Sequence, residues 1–378
     1  MKAYIPGHTV LSPRLLFEAI RLKQVNIADN VQFFGYARYA LAEIVKHEDL
    51  SKNTLYVPSY ICSEALLALT GTGPTIDYYP VNTNLEPGWE WLSQKVHPGD
   101  VLLLVHYFGF SNALNKALSF CKSYGLMLIE DCAHSFLTRR EGKLLGTFGD
   151  YGIYSYRKLL PLLDGGGLVS RRPGFEGSGS LSSSTFRPSS MRTLVKQVLK
   201  FGAFKVRLPV PPLHMNGRAN NETNGAELVQ TQTLDHRMTA LSYRLLLVLK
   251  TEYPTIALLR RRNYAALLNA FSQFPEVSLP YTDLAEEVCP QVFPMLVDNQ
   301  EEVLRVFYSH SIPAQTWPFL PARIKHNSNY PTANWLQDHL ILLPVYQDLH
   351  AKHVERMITA YRNARQRVVS NKVGRFTR

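Results

Sequence analysis

Cysteine is scarce in this chain: Cys62, Cys121, Cys132 and Cys289 are the only four among 378 residues. None stands in a CxxC or CxH pairing, which argues against both a disulfide framework and a zinc site, and no metal is expected. Long apolar runs are also missing, and those present are too short to span a bilayer. The opening stretch MKAYIPGHTVLSPRL lacks the apolar h-region of a secretory leader. The expectation is a reduced, cytoplasmic protein without membrane contact. No segment is compositionally disordered at length, and no internal repeat is visible.

Acids are outnumbered, with 30 Asp and Glu against 41 Lys and Arg, a formal charge of +11. Nucleic-acid binding would gather those cations into a stripe with stacking aromatics. Here they are scattered. They cluster only at Arg260–Arg262 and in the tail RNARQRVVSNKVGRFTR, and both clusters read as solvated helix ends. A nucleic-acid partner is therefore not expected, and an anionic small substrate accounts for the surplus equally well. Hydrophobic residues make up 46% of the chain, enough for a sizeable core in a large domain with a smaller one attached.

What is present concentrates in residues 125–170, GLMLIEDCAHSFLTRREGKLLGTFGDYGIYSYRKLLPLLDGGGLVS. Leu126–Ile129 is a short apolar run that suits a buried strand of a parallel sheet. Glu130 and Asp131 follow at its carboxyl end, where open α/β sheets bind ligands. Asp131 would equally serve to cap the next element. Tyr151 and Ile153 open another strand, after which Ser155 and Lys158 stand three apart. Lys158 precedes Leu159, Leu160, Leu162 and Leu163, so it either snorkels to the surface or is desolvated with a lowered pKa. Desolvated lysines are the ones that form Schiff bases. Gly165–Gly167 permit a close backbone approach, a hairpin turn, or both. Acid, SxxK and glycine run together are what a pyridoxal 5′-phosphate site needs. An acid faces the ring nitrogen, a lysine takes the aldehyde, and a hydroxyl takes the phosphate.

On EDCAHS (130–135), GTFGDYGIYSYRK (146–158) and DGGGLVS (164–170), the chain resembles the DegT/DnrJ/EryC1/StrS family of sugar aminotransferases, fold-type I pyridoxal phosphate enzymes. The resemblance implies Asp131 at the pyridine nitrogen, His134 beside the ring hydroxyl, Lys158 as the Schiff-base lysine and Ser155 on the phosphate. It places a phosphate turn on Ala37, Arg38 and Tyr39 at the start of a helix, where Arg38 replaces the usual small hydroxyl residue. The serine and lysine of that family usually stand further apart than the three residues here. The spacing of three is similar to SxxK in the wider fold-type I aminotransferases. The only other lysine between Asp131 and the glycines is Lys143, in a polar loop. Relatives that dehydrate sugars carry histidine in place of this lysine.

The implied activity is transfer of an amino group from an amino acid, glutamate foremost, to a keto-sugar, nucleotide-linked, in polysaccharide or secondary-metabolite sugar biosynthesis. A catalytically altered protein of the same fold, with a binding or regulatory role, is the alternative. The implied architecture is a three-layer α/β fold: a mostly parallel sheet within a large domain over 1–240, and a smaller α+β domain over 241–378. The resemblance also implies a homodimer. Residues 171–233, Ser/Gly-rich and then Pro-rich, read as a mobile loop region around one helix. Family members commonly reach a partner's phosphate with an asparagine from this region. Asp235 stands where that asparagine would fall, and the contact is not carried over.

The rest of the chain supplies second-rank candidates. Residues 53–69 read as a strand, a Pro-Ser turn and a helix, with Tyr60 either at the ring or in the core. His106 follows the apolar run DVLLLV (100–105) and is either a site residue or a hydrogen-bonded structural one. Trp317 and Tyr346 read first as core residues.

Overall fold

The structure is a computed structural model. It describes residues 2–3, 5–6, 9–22, 30–69, 73–111, 113–175, 181–182, 188–206, 209–210, 236–317 and 319–376. Asp235 and much of the expected loop region lie outside these residues.

A seven-stranded sheet carries the larger core. Its order is Gln32–Phe34, Gly166–Ser170, Tyr151–Ser155, Met127–Cys132, Val101–Val105, Thr54–Pro58, Thr75–Tyr79. Gly166–Ser170 runs antiparallel to both neighbours, while the other adjacent pairs are parallel. This is the expected α/β class with a mostly parallel sheet. The central strand VLLLV (101–105) is apolar throughout and buried at every position, because both faces of the sheet are covered. Register matters most at the carboxyl end. Val105 pairs with Asp131 and Asp131 with Ile153, so these three side chains share one face of the sheet. Glu130, one residue earlier, faces the other way.

Helix Ala37–His47 packs on strands Tyr151–Ser155 and Gly166–Ser170, and helix Leu114–Tyr124 packs on Val101–Val105 and Met127–Cys132. The hydrophobic core continues over the antiparallel pair Val292–Leu296 and Leu340–Pro344, with helices Tyr253–Phe271, Gln300–Ser309 and Ala351–Phe376 around it. Among the described residues no helix is long and apolar enough to cross a membrane.

Three expectations need correction. Residues 59–69 hold no α-helix. The chain turns through two 3-10 pieces, Ser63–Ala65 and Leu67–Leu69, because a segment this short cannot offset the cost of nucleating a helix. The strand-like IPAQTW makes only a single bridge, Gln315 to Leu342. Arg260 does not sit on a solvated helix end: it is 1% exposed. Its guanidinium donates to the carbonyls of Leu159, Pro290 and Gln291 and to Gln347 Oε1. Three carbonyls and an amide oxygen meet there, and a planar multi-donor group satisfies them together.

Candidate active site

A cavity of about 250 Å³ opens at the carboxyl ends of the central strands. Asp131, His134, Ser155, Lys158, Ala37 and Arg38 all line it. Residues as far apart in the chain as Ala37 and Lys158 are brought together by the sheet order and by the helix after Gln32–Phe34.

Asp131 sits one residue from the end of its strand, flanked on the sheet by Val105 and Ile153. Oδ1 accepts from the Ala133 N–H at 2.9 Å. Burial between apolar neighbours pushes the carboxyl up, and the Lys158 charge and the Ala133 N–H oppose that rise.

Ser155 closes strand Tyr151–Ser155, and Tyr156–Lys158 is one 3-10 turn. Ser155 precedes that turn and Lys158 ends it, and both line the cavity although only three positions separate them. Burial lowers the Lys158 amine, and the Asp131 carboxylate resists that fall. Lys158 Nζ lies 2.9 Å from His134 Nε2. Burial first, and the Lys158 charge second, hold His134 well below its ordinary pKa, so its Nε2 accepts from the amine. The proton then sits on Nδ1, which is buried without a partner.

The imidazole is clamped on two sides. Phe108 stacks on it at 5.8 Å and 5° between planes, and Trp317 meets it edge-on at 5.6 Å. Phe108 stands at φ 59°, a region costly to a bulky side chain, inside the turn Tyr107–Gly109. A Cβ on Gly109 would lie 2.4 Å from the Cys289 carbonyl oxygen. The turn is tight because Gly109 lets backbone touch backbone, and Phe108 is thereby held against His134. The sequence signal was the glycine in HYFGF.

At the other end of the cavity, helix Ala37–His47 begins with Tyr36 as its cap, with no side-chain capping bond. The Tyr39 N–H donates to the Tyr36 carbonyl, which leaves the amides of Ala37 and Arg38 for an anion. Gly166 lets the sheet reach this turn: a Cβ there would stand 2.5 Å from the Tyr36 carbonyl carbon and 2.6 Å from the Ala37 nitrogen. Arg38 Nη1 donates to the Glu64 carbonyl at 3.3 Å and lies 3.8 Å from Glu64 Oε2. Tyr36, Glu64 and Arg157 also line the cavity and were not singled out from sequence.

Of the second-rank residues, Tyr60 and Trp317 line the cavity, stacked at 4.7 Å. Tyr346 is buried away from it. His106 is a structural histidine: it is fully buried and bonds through Nε2 to Glu130 Oε2 at 3.0 Å. Glu130 also accepts the N–H groups of Gly146, Phe148 and Gly149. His106, Glu130 and Cys132 bring possible ligand atoms within 4.8 Å of one another. Both Glu130 oxygens are already taken, however, and burial and the Glu130 charge keep the Cys132 thiol protonated, the wrong form for a ligand.

Residues 60–180 match the model of the DegT/DnrJ/EryC1/StrS aminotransferase family. The chain is 30% identical over 118 residues to the dTDP-4-dehydro-2,3,6-trideoxy-D-glucose 4-aminotransferase of Saccharopolyspora spinosa, covering 30% of each chain. The curated relatives it matches are spanned over less than half their length. In fold it is similar to PseC of Helicobacter pylori, an aminotransferase involved in the biosynthesis of pseudoaminic acid. That match has a TM-score of 0.69 and 14% identity, over 96% of this chain and 99% of that one. It is similar to the GDP-4-keto-6-deoxy-D-mannose-3-dehydratase of E. coli with bound hydrated PLP, at TM-score 0.69 and 15% identity, over 96% and 100%. The cavity fits pyridoxal phosphate in chemistry. An amine and a carboxylate line one space, and Tyr60 Oη, Trp317 Nε1 and His134 Nδ1, all on its walls, are buried polar atoms without partners.

Proposed function

We propose that this chain is a member of the DegT/DnrJ/EryC1/StrS aminotransferase family, whose model matches residues 60–180, and that it moves an amino group from an amino acid, glutamate foremost, to the keto carbon of a nucleotide-linked sugar. Pyridoxal 5′-phosphate, when bound, supplies the aldehyde that captures amines and the ring that absorbs the electrons left on deprotonation. The observation that carries this reading is the convergence of Lys158, Asp131 and His134 on one cavity.

In this reading Lys158 is the nucleophile and the proton carrier. Burial leaves its amine less firmly protonated than a surface lysine, as an attacking amine requires. Once freed from the cofactor, it moves a proton at the substrate carbon. Asp131 faces the ring nitrogen and holds its proton by charge. Its neighbours Val105 and Ile153 exclude water from that contact. His134, fixed by Phe108 and Trp317, orients the ring hydroxyl. Ser155, Ala37 and Arg38 take the phosphate. The family resemblance also supports a homodimer, which light scattering on the purified protein measures.

The alternative of a catalytically altered protein gains no support from the short serine–lysine spacing, since one 3-10 turn accommodates it. Borohydride reduction followed by peptide mass spectrometry tests the proposal. A phosphopyridoxyl adduct on Lys158 is expected, together with a visible absorption band that shifts on adding glutamate and is lost in Lys158→Ala. An unmodified Lys158 in protein saturated with cofactor overturns the assignment.

A further inference from the structure

Arg157, between Ser155 and Lys158, has no role in the reading above. It is exposed, lines the cavity, and has no carboxylate partner among the described residues. Its guanidinium carbon stands 5.0 Å from the centroid of the Tyr36 ring, and that of Arg38 stands 4.8 Å from the same centroid. Two cations therefore share one aromatic ring. Glu64 offsets Arg38, and no described carboxylate pairs with Arg157. Such a pair repels unless an anion lies within reach of both.

The same corner holds unmet donors. The Ser155 hydroxyl is on the cavity wall in a residue 3% exposed, and it makes no hydrogen bond among the described residues. The helix beginning at Ala37 has no side-chain cap. Gly166, paired with Ser155 across the sheet, brings the strand against the Tyr36–Ala37 backbone. Hydroxyl, amides and two guanidinium groups thus line one cavity whose acids among the described residues are Glu64, beside Arg38, and Asp131, beside Lys158. A phosphate monoester, with nearly two negative charges and three acceptor oxygens, matches that set, and arginine's planar fork binds it bidentately.

We propose that Arg157 binds the phosphate of the cofactor, closing with Arg38 a two-guanidinium clamp braced on the Tyr36 ring. This rests on the cofactor reading above and adds a residue that reading leaves out. The clamp would give the site a cationic grip on phosphate in place of the neutral hydroxyl at the turn.

The test compares pyridoxal 5′-phosphate with pyridoxal, which has the same ring and aldehyde but no phosphate. Each is titrated into wild type, Arg157→Gln and Arg157→Lys, with binding followed by visible absorbance and folding checked by circular dichroism. Arg157→Gln should weaken the phosphorylated form about 10- to 100-fold, the effect of losing a charge-assisted contact, and leave pyridoxal unchanged. Arg157→Lys should fall between, because it keeps the charge and loses the fork. Inorganic phosphate should displace the cofactor from wild type at lower concentration than from Arg157→Gln. Equal affinities of wild type and Arg157→Gln for the phosphorylated form overturn the clamp, as does a matching loss for pyridoxal or an effect confined to the KM of the keto-sugar. If wild type binds neither compound, the cofactor reading itself fails, which is a different result from these.

Discussion

Lys158 Nζ stands 2.9 Å from His134 Nε2, and the Lys158 charge adds to burial in depressing the imidazole's affinity for a proton. Burial acts on both in the same direction. The imidazole cannot take the proton that the amine gives up. Lys158 is left to exchange its proton with whatever lies in the cavity, and the neutral ring serves as an acceptor that fixes where the amine points.

This arrangement predicts a pH dependence of stability in the cofactor-free protein. His134 has a folded pKa below its unfolded value of 6.5. Above 6.5 the ring is neutral in both states and contributes nothing. As pH falls below 6.5, the unfolded chain gains a proton that the folded one refuses, so stability drops. Urea unfolding at pH 7.5 and 5.5 should show a larger acid loss in wild type than in His134→Asn. The difference is bounded at about 1.4 kcal/mol per pH unit by one proton. Equal losses would mean that His134 titrates normally.

Gly166→Ala tests the approach of the sheet to the phosphate turn. The added methyl would meet backbone at 2.5 and 2.6 Å, and neither atom is the end of a flexible side chain. The strand or the helix start must shift. A loss of about 1–3 kcal/mol in stability is expected, as for other overpacked sites. Cofactor affinity should fall by more than stability alone explains, because Ala37 and Ser155 are the groups displaced. Unchanged melting temperature and cofactor affinity would show that the turn does not depend on this contact.

How far the sequence carried the reader depends on how local each feature was. The strand ending in Asp131 was legible because an apolar run leads straight into the acid. Lys158 was legible for the same reason, in front of a leucine-rich segment. What decides the SxxK spacing is the 3-10 turn, and three residues of sequence do not announce one. Arg260 was misread because its acceptors lie 101, 30 and 87 residues away, at Leu159, Pro290 and Gln347. A run of three arginines looks solvated until those oxygens are assembled around it. His106 was left between two readings because its partner Glu130 comes from the next strand of the sheet, and only the parallel register sets them face to face.

Arg260→Met should destabilise the protein by about 2–5 kcal/mol, since the thioether fills part of the volume but leaves buried carbonyls without donors. One of those carbonyls belongs to Leu159, next to Lys158. The variant should therefore also change the apparent pKa of the visible cofactor band, a shift that a purely global loss of stability would not produce. Denaturant unfolding and a spectrophotometric pH titration read the two effects separately. A variant as stable as wild type would show that the oxygens find water instead.

Glu130→Gln tests whether the packed acid under the site is held as a charge. Burial raises the Glu130 carboxyl, but the His106 hydrogen bond and charge and the backbone N–H groups of Gly149 and Gly146 outweigh it and bring it below its ordinary value. A carboxyl with a depressed pKa contributes stability at pH above its unfolded value of 4.5, and loses it as pH falls through the lower folded value. Glutamine cannot serve four donors, because its amide turns one acceptor into a further donor. At pH 7 the variant should be about 2–4 kcal/mol less stable, the cost of leaving buried donors unmet around a lost charge. As the medium is acidified below 4.5, the unfolded wild type takes up a proton that the folded chain refuses until the lower folded value is reached, and the gap between the two should narrow. The loop from Gly146 to Gly149 leads into the strand that ends at Ser155, so cofactor affinity should fall along with stability. A gap that is the same at pH 7 and pH 4 would mean that Glu130 acts by shape alone.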